Sequence, residues 1–167
     1  MSARGTIRGG AARKAAMPAA TPKTLAIRML ARREYSRAEL AQKLAQKRVS
    51  REDVEITLDE IAALGLLSDV RFANATVRQK TGAYSKRAIA GSLKASGVGG
   101  DVAAEALASN EVDDDDAMIA LWRRRFGAPP ANDREKARQV RFLQSRGFGL
   151  SAIFKLLRNP PEGEGDA

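Results

Sequence analysis

Arg123, Arg124 and Arg125 stand in a row directly after Trp122. Further basic groups gather at Arg28, Arg32, Arg33 and Arg37, at Lys43, Lys47 and Arg48, and at Arg78, Lys80, Lys86 and Arg87. Guanidinium and ammonium groups in such clusters bind phosphates or carboxylates, the first by paired hydrogen bonds and the second as a point charge. The chain of 167 residues contains no cysteine and no histidine. Disulfides, thiolate nucleophiles, imidazole bases and the usual zinc ligands are therefore excluded together, and the chemistry left to the side chains is mainly that of binding anions.

One acidic run, Asp113 to Asp116, raises a metal reading, because hard cations take oxygen ligands. Consecutive residues of a helix point in different directions, and four carboxylates in a first turn complement the helix dipole, so the structural role is expected. Gly97, Gly99 and Gly100 in ASGVGGD have the composition of a phosphate loop, but no strand precedes them, and a tight turn between helices is expected. Trp122 beside three arginines has the makings of a base-stacking platform. Its neighbours Leu121 and Phe126 place it instead on a buried face.

The balance of 29 Lys and Arg against 20 Asp and Glu gives a net charge of +9, which points to a polyanion or an acidic protein surface as partner. The N-terminus carries scattered arginines but no continuous apolar run, and no later stretch approaches the length of a membrane span. A cytoplasmic protein without membrane contact is expected.

The elements that position these charges announce themselves by repetition. YSRAELAQKL begins at Tyr35 and YSKRAIAGSL at Tyr84, a separation typical of a supersecondary unit. Aromatic residues make up only 5 % of the chain, and no segment alternates like a half-buried strand, so the unit is helical. In the first phrase Ser36 can cap a helix, Glu39 stands at the return position of a capping box, and Tyr35 can staple onto Leu40. Val49-Ser50, Leu67-Ser68 and Tyr84-Ser85 repeat the device, and Asn110 and Asn132 offer further caps, the latter with Glu135.

Stop signals at Gly65, Gly97, Gly127 with Pro129, and Gly147 then divide the chain into nine helices. They are expected near 22–34, 36–47, 50–64, 68–81, 85–96, 100–109, 111–126, 132–146 and 151–158. Aligning Ala90 with Val140, Leu93 with Leu143, Gly97 with Gly147 and Leu107 with Leu157 writes the phrase a third time. The expected fold is all-α: three tandem three-helix repeats, at 21–65, 66–109 and 110–158, in an elongated, curved array. Segments 1–20 and 159–167, which lack an amphipathic period, are expected to be mobile. Leu40, Leu44, Val54, Leu58, Ile61, Phe72, Ile89, Leu93, Trp122, Leu143, Phe148 and Leu157 are the expected core.

In such an array the basic clusters fall near the junction of first and second helix in every unit, and corresponding places in stacked repeats form a stripe. Arg32, Arg33, Arg37, Arg78, Lys86, Arg87, Arg123, Arg124 and Arg125 are the candidate contact residues. A helix-turn-helix regulator of duplex DNA is the alternative, although base readout concentrates polar side chains on one recognition helix and here the charge is spread over three units. An enzyme built on the aspartate run and a metal is more remote, since no base, nucleophile or phosphate loop accompanies it.

Ser36-Arg37-x-Glu39-Leu40 with Leu44, Gly65-Leu66-Leu67-x-Asp69 with Phe72-Ala73, Gly97-Val98, and Leu143-Gln144-x-Arg146-Gly147-Phe148 with Ile153 follow one another in order. Together they resemble the RecX family of recombinase regulators across nearly all of residues 24–158. The resemblance implies the same three-repeat fold and a partner, the RecA–DNA filament, in whose groove the protein would lodge and whose ATPase and strand exchange it would inhibit. Direct contact with single- or double-stranded DNA is compatible with it. A monomer that needs no cofactor and performs no catalysis is expected.

Overall fold

The computed structural model describes residues 20–161, which fold into nine α-helices and no strand. The first repeat comprises α1 (Pro22–Leu30), α2 (Arg37–Gln46) and α3 (Arg51–Ala63). The second comprises α4 (Asp69–Lys80), α5 (Lys86–Ala95) and α6 (Gly100–Ser109), and the third α7 (Asp114–Arg125), α8 (Asp133–Ser145) and α9 (Leu150–Arg158). The mobility expected of the two terminal tails concerns residues that lie mostly outside the described range.

The serine device works as its chemistry demands. The hydroxyls of Ser36, Ser50, Ser68 and Ser85 accept the N–H of Glu39, Asp53, Arg71 and Ala88, each satisfying one orphan donor of a first helical turn. The return half of the first capping box is not made. Glu39 instead takes the Ser96 hydroxyl at 3.1 Å and the Arg33 guanidinium at 3.0 Å, so its carboxylate joins the first repeat to the second. Glu135 similarly accepts from the N–H of Ala131 rather than from the capping residue Asn132.

Two expected boundaries move. Helix α1 stops at Leu30 rather than 34, because its last carbonyls are closed by a tightened turn in which the Arg32 N–H donates to Met29 at 3.0 Å. Helix α7 starts at Asp114 rather than 111, since Glu111 adopts a left-handed φ of 49° and Asp113 is the cap that accepts the N–H of Asp116. Asn110 is thus not an N-cap: it closes α6, donating its side-chain amide to the carbonyl of Ala106 and to Asn74 Oδ1, both at 2.7 Å.

Each repeat buries its own core. Leu40, Leu44, Val54, Leu58 and Ile61 cluster in the first, Phe72, Val77, Ile89, Leu93 and Val98 in the second, and Met118, Leu121, Trp122, Leu143, Phe148 and Ile153 in the third. Every expected core side chain, from Leu40 to Leu157, is buried. Trp122 is a packing anchor whose indole N–H donates to Gln139 Oε1 at 2.8 Å, and Gln139 passes the connection to the carbonyl of Ala128. The chain is therefore all-α and built of tandem repeats, each with an apolar centre and joined to its neighbour by polar contacts.

Candidate functional site

The joint between repeats decides where the basic side chains stand. At the first joint the Asp69 carboxylate accepts the backbone N–H of Arg37 at 2.7 Å, and at the second Asp114 accepts that of Lys86 at 2.7 Å. In both cases the first residue of one repeat's leading helix reaches the first residue of the previous repeat's middle helix. A cation at a helix N-terminus opposes the helix dipole, and a carboxylate supplied by the next repeat offsets it while filling an orphan donor.

Glycine closes the same joint from the other side. Gly97 ends α5 with φ +78°, and a Cβ there would lie 2.4 Å from Ala38 Cβ in α2. Gly147 ends α8 with φ +93°, and its Cβ would meet Ser85 Oγ at 2.4 Å and Ala88 Cβ at 2.6 Å in α5. Both positions need glycine twice over, for the left-handed backbone and for the close approach. The Ser36 hydroxyl adds a donated bond to the Ser96 carbonyl at 2.5 Å, and the Ser85 N–H donates to the Arg146 carbonyl at 3.0 Å. Arg71 strengthens the first joint through Glu34 at 3.0 Å and the Leu66 carbonyl at 3.0 Å.

Around these joints the nine candidate cations divide by what else they do. Arg33 lies 3.6 Å from the Tyr35 ring centroid and pairs with Glu39. Arg37 donates to Asp59 at 2.7 Å and Glu55 at 3.0 Å in its own repeat. Its pKa is held above the ordinary value, first by the hydrogen bond to Asp59, against the opposing effect of burial, and then by Glu55. Arg87 donates to the Gly147 carbonyl at 3.3 Å and so takes part in the second joint.

Arg32, Arg78, Lys86 and Arg124 are exposed, and among the described residues none of their side chains pairs with a carboxylate. Arg125 is exposed with its guanidinium 5.7 Å from the Phe142 ring centroid. Arg123 completes the last turn of α7, where positive charge suits the dipole. The tyrosines that open the two phrases lie beside cations: Tyr84 has Lys80 at 4.7 Å and Arg146 at 4.9 Å from its ring centroid.

The aspartate run is divided among separate tasks. Asp113 caps α7 and Asp114 builds the joint, and among the described residues no group of three acidic side chains converges as a metal site. Gly97 and Gly99 serve the turn between α5 and α6, with Gly99 as the N-cap position. The joint residues Asp69, Ser96 and Asp114, and the arginines of α8, were not among the candidate contacts. The signal for α8 was present as Arg134, Arg138 and Arg141, spaced to share one helix face.

Comparison with known proteins covers all three repeats. Family models described as the first, second and third three-helix domains of RecX match residues 23–60, 68–107 and 113–157. A protein named Regulatory protein RecX from Leptothrix cholodnii is 39 % identical over 141 residues, spanning 84 % of this chain and 90 % of that one. One of the same name from Chromohalobacter salexigens is 41 % identical over 138 residues, 80 % of this chain and 89 % of its own. The crystal structure of RecX from Lactobacillus salivarius superposes with a TM-score of 0.63 at 17 % identity, covering 82 % of this chain and 92 % of that one, a likeness of fold.

Proposed function

The chain belongs to the RecX family of regulatory proteins, and from that premise we propose that it binds the filament which a RecA-type recombinase forms on DNA and lowers the filament's ATP hydrolysis and strand exchange. What supports this reading most is the return of exposed cations near the junction of first and second helix in every repeat: Arg32 between α1 and α2, Arg78 near the end of α4 with Lys86 at the start of α5, and Arg124 and Arg125 at the end of α7. A repeat array offers such charges at intervals along a single molecule, which suits a partner that is itself periodic and anionic.

The protein acts by binding, without catalysis of its own. Preferential binding to one arrangement of the filament's subunits shifts the filament toward that arrangement, and occupation of the groove excludes incoming duplex. Arg33, Arg37, Arg87 and Arg123 complete the contact set in this reading, partly through contacts that hold the neighbouring helices. The protein works as a monomer in the cytoplasm; among the described residues no helix is long and apolar enough to cross a membrane.

Co-sedimentation of the protein with recombinase filaments, and with naked single- and double-stranded DNA at matched salt, tests the reading. Recovery with filaments well above recovery with either naked DNA is expected. Tight, sequence-selective binding to naked duplex with no preference for filaments would transfer the assignment to the helix-turn-helix alternative.

A further inference from the structure

Helix α8 carries a basic face that the junction cations do not include. Arg134, Arg138 and Arg141 recur at helical spacing, are exposed, and line one surface depression together with Asn132 and Glu135. Among the described residues none of the three pairs with a carboxylate. The one acid in the depression, Glu135, accepts the Ala131 N–H at 2.8 Å, which directs it toward its own helix start.

The repeat alignment shows what is unusual about this face. With Leu93 matched to Leu143, the positions of Arg134, Arg138 and Arg141 are held in the second repeat by Tyr84, Ala88 and Gly91; with Ser36 matched to Ser85, the first repeat has Tyr35, Glu39 and Gln42. Glu39 and Ala88 are where the following repeat docks, Ser96 bonding to the first and Gly147 lying against the second. In the third repeat the same position is an exposed arginine, and α8 begins a turn earlier than α5 to add Arg134. The central position, which serves the array's own stacking in two repeats, is thus an exposed arginine in the third, in the middle of a row of guanidiniums.

We infer that this face of α8 is a contact for the sugar–phosphate backbone of a nucleic-acid strand. Seven residues of helix place the outer two arginines about 10 Å apart along the axis, so that three forks line one backbone path. A merely solubilising end cap needs no single sign of charge, and mixed charges serve it better. Protein interfaces are centred on well-packed, desolvated anchors, and none of the exposed large apolar side chains, Ile27, Ile56, Leu64, Leu66, Val70, Leu150 and Phe154, lines this depression to supply an apolar one. The inference deepens the proposed function, and rests on it only in taking the strand inside the filament as the natural ligand.

The test is fluorescence anisotropy of the full chain with a labelled oligo-dT strand over a series of salt concentrations. The triple variant R134Q/R138Q/R141Q keeps good helix formers and is expected to bind at least tenfold more weakly at moderate salt. Its plot of log affinity against log salt should be flatter by about 2, the loss of three single-strand phosphate contacts. The control R51Q/K94Q/R158Q removes the same charge from exposed positions of α3, α5 and α9 and should keep most of the wild-type slope. If the triple variant loses helicity by circular dichroism, R138Q alone should still flatten the slope by about 0.7.

Equal slopes for the α8 variant and wild type would overturn the inference, as would an absence of wild-type binding at low salt. Competition by polyglutamate as effective as by unlabelled dT at equal charge would overturn it in favour of an acidic protein partner. Strand binding through α8 with no effect on filaments would refute the proposed function while leaving this inference standing. Intact filament inhibition by a variant that has lost strand binding would leave the proposed function standing and overturn the strand inside the filament as the ligand of α8.

Discussion

Asp69 in α4 accepts the backbone N–H of Arg37 in α2 at 2.7 Å, so the first residue of one repeat caps the middle helix of the repeat before it. Asp114 and Lys86 repeat the relationship at the same distance. The stacking of the array is thereby written into two carboxylates. Asp69→Ala and Asp114→Ala should each cost about 1–2 kcal/mol, the range for losing a charged helix cap, read as a lower urea midpoint. Asp115→Ala, on a carboxylate with no such bond, should change the midpoint little. A loss at Asp115 equal to that at Asp114 would contradict the joint.

Gly147 and Gly65 separate backbone strain from crowding. Both have left-handed φ, +93° and +72°, but a Cβ on Gly65 meets nothing within 4 Å, whereas one on Gly147 strikes Ser85 and Ala88. Gly65→Ala should cost about 1 kcal/mol, and Gly147→Ala about 2–4 kcal/mol, once overpacking is added. Thermal unfolding of the two variants checks the order, and equal shifts would mean that the repeats do not meet as described.

Ser36 and Ser50 are both helix caps, and only the first is also a link between repeats. Ser36 is fully buried and donates to the Ser96 carbonyl, while Ser50 is exposed and bonds only within its own first turn. Ser50→Ala should cost about 1 kcal/mol. Ser36→Ala should cost about 1 kcal/mol more, because it also removes the donor to the part-buried Ser96 carbonyl. Urea denaturation of both variants measures the difference.

The contrast between these two serines marks what a sequence alone discloses. Ser36, Ser50, Ser68 and Ser85 are legible as caps because the donor they satisfy lies three residues away, and Leu40, Leu44, Leu58 and Ile61 are legible as core because helical period is local. The bond from Arg37 to Asp69 is not, since it depends on how two finished repeats stack. Asn110 misleads for a related reason: an asparagine can close a helix as readily as open one, and the turn at Glu111 decides which. Among the candidate contacts, proximity in sequence favours the run Arg123 to Arg125, while Arg134, Arg138 and Arg141 become a surface only once the fold shows them exposed together on one face of α8.

Arg37 and Arg32 differ in the same manner. The Arg37 guanidinium is engaged by Asp59 and Glu55, an exposed pair of ion pairs worth about 0–1 kcal/mol, whereas Arg32 has no carboxylate partner among the described residues. Arg32→Glu should leave the melting temperature nearly unchanged and weaken filament binding. Arg37→Glu should lower the melting temperature as well, by setting a carboxylate against Asp59, Glu55 and Asp69. Melting curves beside co-sedimentation separate the two effects.

If the exposed cations at the repeat junctions act together on a recombinase filament, as proposed, steady-state ATP hydrolysis by filaments on single-stranded DNA must respond to their reversal. Wild-type protein should suppress hydrolysis at or below stoichiometric amounts. The reversals R32E, K86E and R124E should each weaken suppression, and their combination should weaken it further while circular dichroism shows the fold intact. Suppression by the combined variant equal to that of the wild type, or no suppression by the wild type at any ratio, would contradict the account.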